Sequence, residues 1–301
     1  MIEKIKQLTY LFFTKSWFAK QLRNPVLTLV LPALISFYYL ALDVWGEDWS
    51  WISKYRPIHE YIFSFLFIIT MLVVFFKALY ELFSKEIDRK REEVLRSLIK
   101  IFNSLVASKK RRFYEEAANI LPKADCFKRI TKPDEQLKSI FDATIEAVVT
   151  IFDVNRLNLT LTIIEGDESG KWWYFLRSNN QTNLTPARKL MDNNSTARYC
   201  SESGESLFIA DMRKGIKNEV FFSSDRSKSQ NDYGSIFCKP VTVLVGNKRY
   251  KYIFTICLYG ELICAPHIEE ECRVCEEFFV EISDRVELEL HLKSIKDFRY
   301  P

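Results

Sequence analysis

Glycine and histidine are both scarce in this 301-residue chain: there are eight of the first and three of the second, His59, His267 and His291. Three histidines leave little for most imidazole metal sites, and no HExxH pair occurs. Neither GxxxxGKS/T nor GxGxxG is present, so no glycine-rich phosphate cradle is expected. A GxSxG nucleophile elbow is missing too. No sign of charge dominates: 43 Lys and Arg stand against 39 Asp and Glu, a net +4 that argues against a dedicated duplex-DNA binder. The seven cysteines are an odd number in a chain too long to need a disulfide scaffold, which fits a reducing compartment.

What the chain has in quantity is apolar sequence near its start. Residues 24–42 carry no charge and lie between Arg23 and Asp43. Residues 61–80 are apolar except for Lys77, which can snorkel its ammonium to the headgroups. At about 1.5 Å per residue each run reaches across a bilayer core of about 30 Å. The alternative is a pair of long buried helices in a soluble domain. Lys4, Lys6, Lys15, Lys20 and Arg23 precede the first run; Lys85, Arg89, Lys90, Arg91, Arg96 and Lys100 follow the second. The link 43–60 carries Asp43, Glu47, Asp48 and Glu60 against Lys54 and Arg56, and its Trp45, Trp49, Trp51 and Tyr55 suit an interface. The distribution predicts a multi-pass protein of the inner, cytoplasmic membrane with both termini cytoplasmic. No small-residue cleavage site follows the N-terminus, so a removed signal peptide is not expected. Residues 1–23, with Ile2, Ile5, Leu8, Phe12 and Trp17 near helical spacing, predict a helix either lying on the inner leaflet or extending the first span.

Residues 81–125 predict a helical stalk. Phe83, Ile87, Val94, Leu98, Ile101 and Leu105 recur in steps that resemble a coiled-coil seam, which predicts a homo-oligomer; packing on the chain's own domain is the other reading. Ten Lys or Arg against four acids in 85–112 suit anionic lipid or plain solvation better than nucleic acid. Residues 121–133 mark a boundary at Leu121-Pro122.

From 126 to 301 the rhythm is that of a mixed domain, giving an α+β class overall: a two-helix transmembrane hairpin (24–80), a stalk, then an antiparallel sheet flanked by helices. A helix is expected over 134–150 with Asp134 as its cap, a hairpin over 157–178, a helix over 186–203 and a short strand over 206–209. A long polar loop over 211–233, strands over 234–245 and 251–260, and a terminal helix over 267–297 complete the order. Three stretches carry a resemblance. Thr196–Asp211 (TARYCSESGESLFIAD) places Gly204, Leu207–Ile209 and Asp211 in sequence; Gly234–Val241 (GSIFCKPV) runs a strand into Pro240; Tyr252–Leu258 returns beside it. Over 134–297 the chain resembles a GAF domain. The resemblance implies a sensor of small molecules or proteins, with ligand held between the sheet and the long loop.

Candidate ligand-binding residues are Trp173 and Arg177 on the hairpin and Asp211, Arg213, Lys217, Phe222, Arg226 and Tyr233 in and around the loop. Cations beside aromatic rings suit an anionic ligand such as a nucleotide; a solvated loop is the bland reading. The cyclic-nucleotide signature of some GAF domains is not visible, and no Cys-His pair is placed for a bilin, so no cofactor is expected. Cys264, His267, Cys272 and Cys275 have spacings reminiscent of zinc or redox sites. Two of those cysteines fall on the terminal helix, however, and no metal is expected. With only His267 and His291 outside the apolar region, no nucleophile, base and orienting group can be assembled, so no catalytic residue is assigned and no enzymatic activity is expected.

No kinase, cyclase, nuclease or helix-turn-helix pattern follows the terminal helix, so output is expected to pass through the membrane part or a partner. One reading is a ligand sensor whose spans rearrange in the bilayer, a layout that resembles bacterial anti-phage membrane effectors. The other is a tethered module that recruits a cytoplasmic protein, with the spans as a passive anchor.

Overall fold

A computed structural model describes residues 2–16, 25–46, 48–117, 119, 125–178, 185–192 and 195–300. Trp17, Lys20, Arg23, Glu47 and the Leu121-Pro122 step lie outside the described residues. The chain forms two compact units, Met1–Arg89 and Lys90–Pro301.

The first unit is helical. It holds α1 (Ile2–Lys15), α2 (Pro25–Val44), the short α3 (Ser50–Lys54) and the first part of α4 (Arg56–Ala117). Among the described residues one helix, Arg56–Glu116, is long and apolar enough to cross a membrane; Val30–Val44 is a shorter apolar helix. Side chains along the apolar part of α4 point outward: Phe65, Ile68, Met71 and Phe75 are all exposed. The two apolar helices touch near their connection, where Tyr39 packs on Phe63 with ring centroids 5.2 Å apart and Tyr38 Oη shares a 2.8 Å hydrogen bond with His59 Nδ1. The connection carries a run of stacked indoles, Trp45 on Trp49 at 5.5 Å and Trp49 on Trp51 at 5.9 Å. Helix α1 docks on α4 through Tyr10 and Phe13 against Tyr80.

In the second unit, α5 (Pro133–Phe152) precedes β1 (Leu159–Gly166) and β2 (Trp172–Arg177). Two short helices, α6 (Ala187–Asp192) and α7 (Thr196–Ser203), stand where one longer helix is expected. Then come β3 (Leu207–Ile209), α8 (Met212–Lys217), α9 (Asp225–Ser229), β4 (Gly234–Val245), β5 (Lys248–Tyr259) and α10 (Glu269–Arg299). The five strands form one antiparallel sheet in the order β2-β1-β5-β4-β3. The unit is thus α+β, as expected.

Residues 211–233 are not one loop. Asp211 caps α8, accepting from Arg213 N, and Ser224 caps α9 in a reciprocal box with Ser227. Such caps hold helices of one or two turns that hydrophobic periodicity is too short to reveal. Asp134 does not cap α5 either. Pro133 occupies the first turn, where its missing N–H costs nothing, and Asp134 pairs with Lys296 instead. Gly204 does end α7 with φ +76°; a Cβ there would meet nothing within 4 Å, so the left-handed backbone alone calls for glycine.

The sheet is covered on both faces, which is why β1 is buried nearly throughout rather than alternating. Leu159, Leu161 and Ile163 face α5 and α10, joined by Tyr252, Phe254 and Ile256 of β5 and by Phe278 and Ile282 of α10. The same core takes Val94, Leu98, Ile101 and Leu105 of α4. Four members of the expected oligomeric seam are therefore spent on packing within this unit. On the opposite face Ile164, Cys238 and Ile253 meet Ala187, Met191 and Cys200 of α6 and α7. Ile209, Ile236 and Cys257 meet Met212 and Phe221 around α8.

Candidate ligand-binding site

The face of the sheet that α6 and α7 cover is apolar with a few polar anchors. Tyr174 Oη donates to the Thr185 carbonyl at 2.7 Å, and burial pushes its pKa up to about 12, so it acts as a fixed donor. Ser195 Oγ caps α7 at 3.0 Å from Arg198 N and donates back to the Leu190 carbonyl, tying α6 to α7. On the other face, toward α10, Ser235 Oγ donates to the Ala210 carbonyl at 2.8 Å and accepts from Ile263 N at 3.1 Å, which fixes the chain just ahead of α8.

At the N-terminus of α8 three of the candidate residues come together. Asp211 takes the Arg213 guanidinium through both oxygens, Nε to Oδ1 at 3.1 Å and Nη2 to Oδ2 at 3.2 Å. The guanidinium carbon lies 4.4 Å from the Tyr233 ring centroid. The arrangement clips the segment after α9 onto α8, and Arg213 spends its charge on Asp211. An anion approaching here competes with a carboxylate already in place. Lys217 is exposed at the other end of α8, and Phe222 is half-buried beyond it. The Arg226 side chain lies outside the described residues.

Trp173 and Arg177 sit elsewhere. Both are exposed on β2, the edge strand opposite β3, which leads into Asp211. Four strand spacings of about 4.8 Å separate the two edges, so these residues do not join the Asp211 cluster in one pocket. Strand alternation was visible in the sequence, but the order of strands in the sheet was not. Ser235, which sequence reasoning passed over, carries no signal beyond its place after Gly234.

Four of the seven cysteines lie in two pairs. On the face that α6 and α7 cover, Cys200 Sγ lies 3.9 Å from the Cys238 carbonyl. Near the start of α10, Cys264 Sγ and Cys272 Sγ are 3.5 Å apart. Contact with Cys272 pulls the Cys264 thiol down, but Cys275, burial and Glu271 outweigh it and raise its pKa. Cys272 is pushed up by Cys264, burial and Glu271. Both thiols stay protonated at neutral pH and are poor nucleophiles. Among the described residues no group of three or more His, Cys, Asp or Glu is arranged to hold a metal ion.

No protein-family model matches the chain, and no curated protein matches it significantly. Among solved structures, the chain is similar to the photoproduct state of GAF3 from Slr1393 of Synechocystis sp. PCC6803. That match has 13% identity and a TM-score of 0.33, and covers 55% of this chain and 99% of that one. A likeness of that size assigns no family.

Proposed function

We propose that this chain is a membrane-associated sensor: the α+β unit binds a small anionic ligand and its occupancy is passed through α4 to the apolar helices. One observation carries the reading. A single helix, α4, bears the exposed hydrocarbon of Phe65, Ile68, Met71 and Phe75 and also supplies Val94, Leu98, Ile101 and Leu105 to the core of the sensory unit. In this reading a change in that core is passed along the helix that the two units share.

In this reading α2 and α4 span the inner membrane as a hairpin with both termini cytoplasmic. The protein performs no catalysis, and the hairpin, not a downstream enzyme, delivers the output. Rearrangement of spans that permeabilises the bilayer, as in an anti-phage effector, is the form of output this layout suits. Copies associate through α4, though not through the seam buried in the core. Leu95, Ile99, Val106 and Phe113 are more than half exposed and follow spacings of four and seven along the helix, a second apolar stripe free to meet another copy.

The test uses the full chain in lipid vesicles loaded with a dye. The wild type is expected to stay with the vesicles through an alkaline carbonate wash. Ile68→Asp, which puts a charge at an exposed position of the apolar stretch at a cost of about 2.5–3.5 kcal/mol, is expected to weaken insertion and abolish any dye release. A wild type that washes off would overturn the membrane reading. An Ile99→Cys chain that forms no disulfide-linked pair on mild oxidation would remove the oligomer from it.

A further inference from the structure

The sheet face that α6 and α7 cover continues beyond them to the tips of two hairpins, the β1–β2 turn and the β4–β5 turn at Gly246-Asn247. A cavity of about 430 Å³ opens there, lined by Asp167, Glu168, Trp172, Asn247, Arg249 and Lys251 among others. Its size lies inside the range of about 300–1,000 Å³ usual for small-molecule sites.

Register builds this cavity. Lys251 pairs with Gly166 of β1 on one side and Thr242 of β4 on the other, and Arg249 pairs with Leu244. Two residues apart on one strand, both cations project to the same face. That face is the one Ile253 presents to the α6–α7 cluster. Trp172 lies opposite Gly166, and a Cβ on that glycine would sit 2.7 Å from the indole, so the absent side chain lets the ring lie flat against the strand. The result is a fixed aromatic wall beside two cations, with the exposed Leu244 next to it.

The two acids of the cavity are already engaged, Asp167 within its own turn and Glu168, through one oxygen, by the other hairpin. Asp167 accepts from Ser169 Oγ at 2.7 Å and from Lys171 N at 2.8 Å, and Glu168 Oε1 accepts from Arg249 N at 3.1 Å. Among the described residues, nothing pairs with the Arg249 guanidinium or the Lys251 ammonium. The cavity therefore offers a flat apolar wall for a ring, two uncommitted cations for phosphate, and carboxylate and amide oxygens able to accept from exocyclic amines.

We propose that this cavity is a nucleotide-binding site, with phosphate on Arg249 and Lys251, the base against Trp172, and the polar edge of the base toward Glu168 and Asn247. The proposal rests on the sensor reading only in that the domain binds a small anion; it moves the site from the Asp211 cluster to the hairpin tips.

The experiment is calorimetric titration of the full chain in detergent micelles with ATP, GTP, inorganic triphosphate and adenosine. Arg249→Ala/Lys251→Ala and Trp172→Phe test the cavity, and Arg213→Ala serves as the comparison. Arg249 and Lys251 are exposed, so their removal leaves folding nearly unchanged. The expected result is binding of ATP or GTP that weakens at least about tenfold in the double variant. It should be unaffected in Arg213→Ala and weakened again in Trp172→Phe. Binding lost in Arg213→Ala and kept in the double variant would overturn the hairpin-tip site while leaving the sensor reading intact. Triphosphate binding as tightly as ATP, with Trp172→Phe silent, would overturn the nucleotide assignment. No binding of any probe would overturn the proposal outright, whereas the membrane reading falls only with the vesicle experiment.

Discussion

Replacing Lys293 with Met is expected to destabilise the Lys90–Pro301 unit by about 3–5 kcal/mol. Lys293 lies on α10, 6% exposed, and its ammonium reaches Glu165 Oε1 of β1 at 3.1 Å, a carboxylate itself only 9% exposed. Asp297, one turn on, pairs with it as well, and the ammonium stands 4.5 Å from the Phe175 ring centroid. Tyr252, beside Glu165 in the register, bonds Ser294 Oγ at 2.9 Å and completes the polar patch. Removing the lysine strands a buried carboxylate between the sheet and α10, and that loss dominates. Glu165→Leu with Lys293→Met removes both charges of the buried pair and is expected to recover most of the loss, because apolar replacement of a whole pair is about neutral. Urea unfolding measures both variants through the midpoint at constant slope. A single variant within about 1 kcal/mol of wild type would show that Glu165 finds water.

The pH dependence has a definite sign. Burial by itself lowers the Lys293 pKa, but Tyr252, Asp297 and Glu165 outweigh it and hold the pKa above the ordinary lysine value. A group raised in the folded state stabilises fully below its unfolded pKa, about 10.4, and loses that stabilisation as pH rises through the folded value. The gap between wild type and Lys293→Met should be flat from neutral pH to about 10 and narrow above it.

Phe278→Ala is expected to cost a similar amount, about 3–5 kcal/mol. Phe278 is fully buried on α10, edge-on to Phe152 at 5.8 Å and to Phe279 at 5.5 Å. It also lines a cavity of about 360 Å³ with Leu98, Phe102 and Val274, between α4 and α10. A new void next to an existing one has little to collapse onto, which places the loss high in the range. Hydrogen exchange over residues 94–105 should accelerate with it, since those side chains share the core. Unchanged protection there, or a loss under about 1 kcal/mol, would mean that α4 is held without α10, and the route proposed for the signal would lose its physical basis.

Which parts of this fold were legible follows from the range of the forces involved. β4 was readable to the residue because GSIFCKPVTVLV is a long apolar strand bounded by Gly234 and Gly246. The helix end at Gly204 was readable because left-handed backbone is a local demand. Helices α8 and α9 were hidden: six and five residues carry no usable period, and only their caps, Asp211 and Ser224, announce them. The role of Val94, Leu98, Ile101 and Leu105 was ambiguous because a core-facing stripe and a partner-facing stripe have the same spacing. Only the position of α10 decides between them. The candidate site scattered for the same reason: Trp173 and Asp211 belong to opposite edges of a sheet whose order no local pattern encodes. Lys251 was overlooked because its neighbours in the cavity, Trp172 and Asp167, lie some eighty residues away in sequence.

The seating of Val94, Leu98, Ile101 and Leu105 also sets a timetable for synthesis. Their partners on α10, from Val274 to Leu290, are made long after them, and β1, though it can pair with β2 at once, gains its other neighbour only with β5, whose Leu258 pairs with Leu159. At about 5–20 residues per second, the gap from Leu105 to Ile282 is roughly 10–35 s of translation. During that interval a four-residue apolar seam stands bare on a helix rich in lysine and arginine. Pairing so distant in sequence is slow to nucleate and exposed to aggregation while it waits. Ten cations between Lys85 and Arg112 lie along the same stretch, and charge flanking an apolar seam works against aggregation while it is exposed.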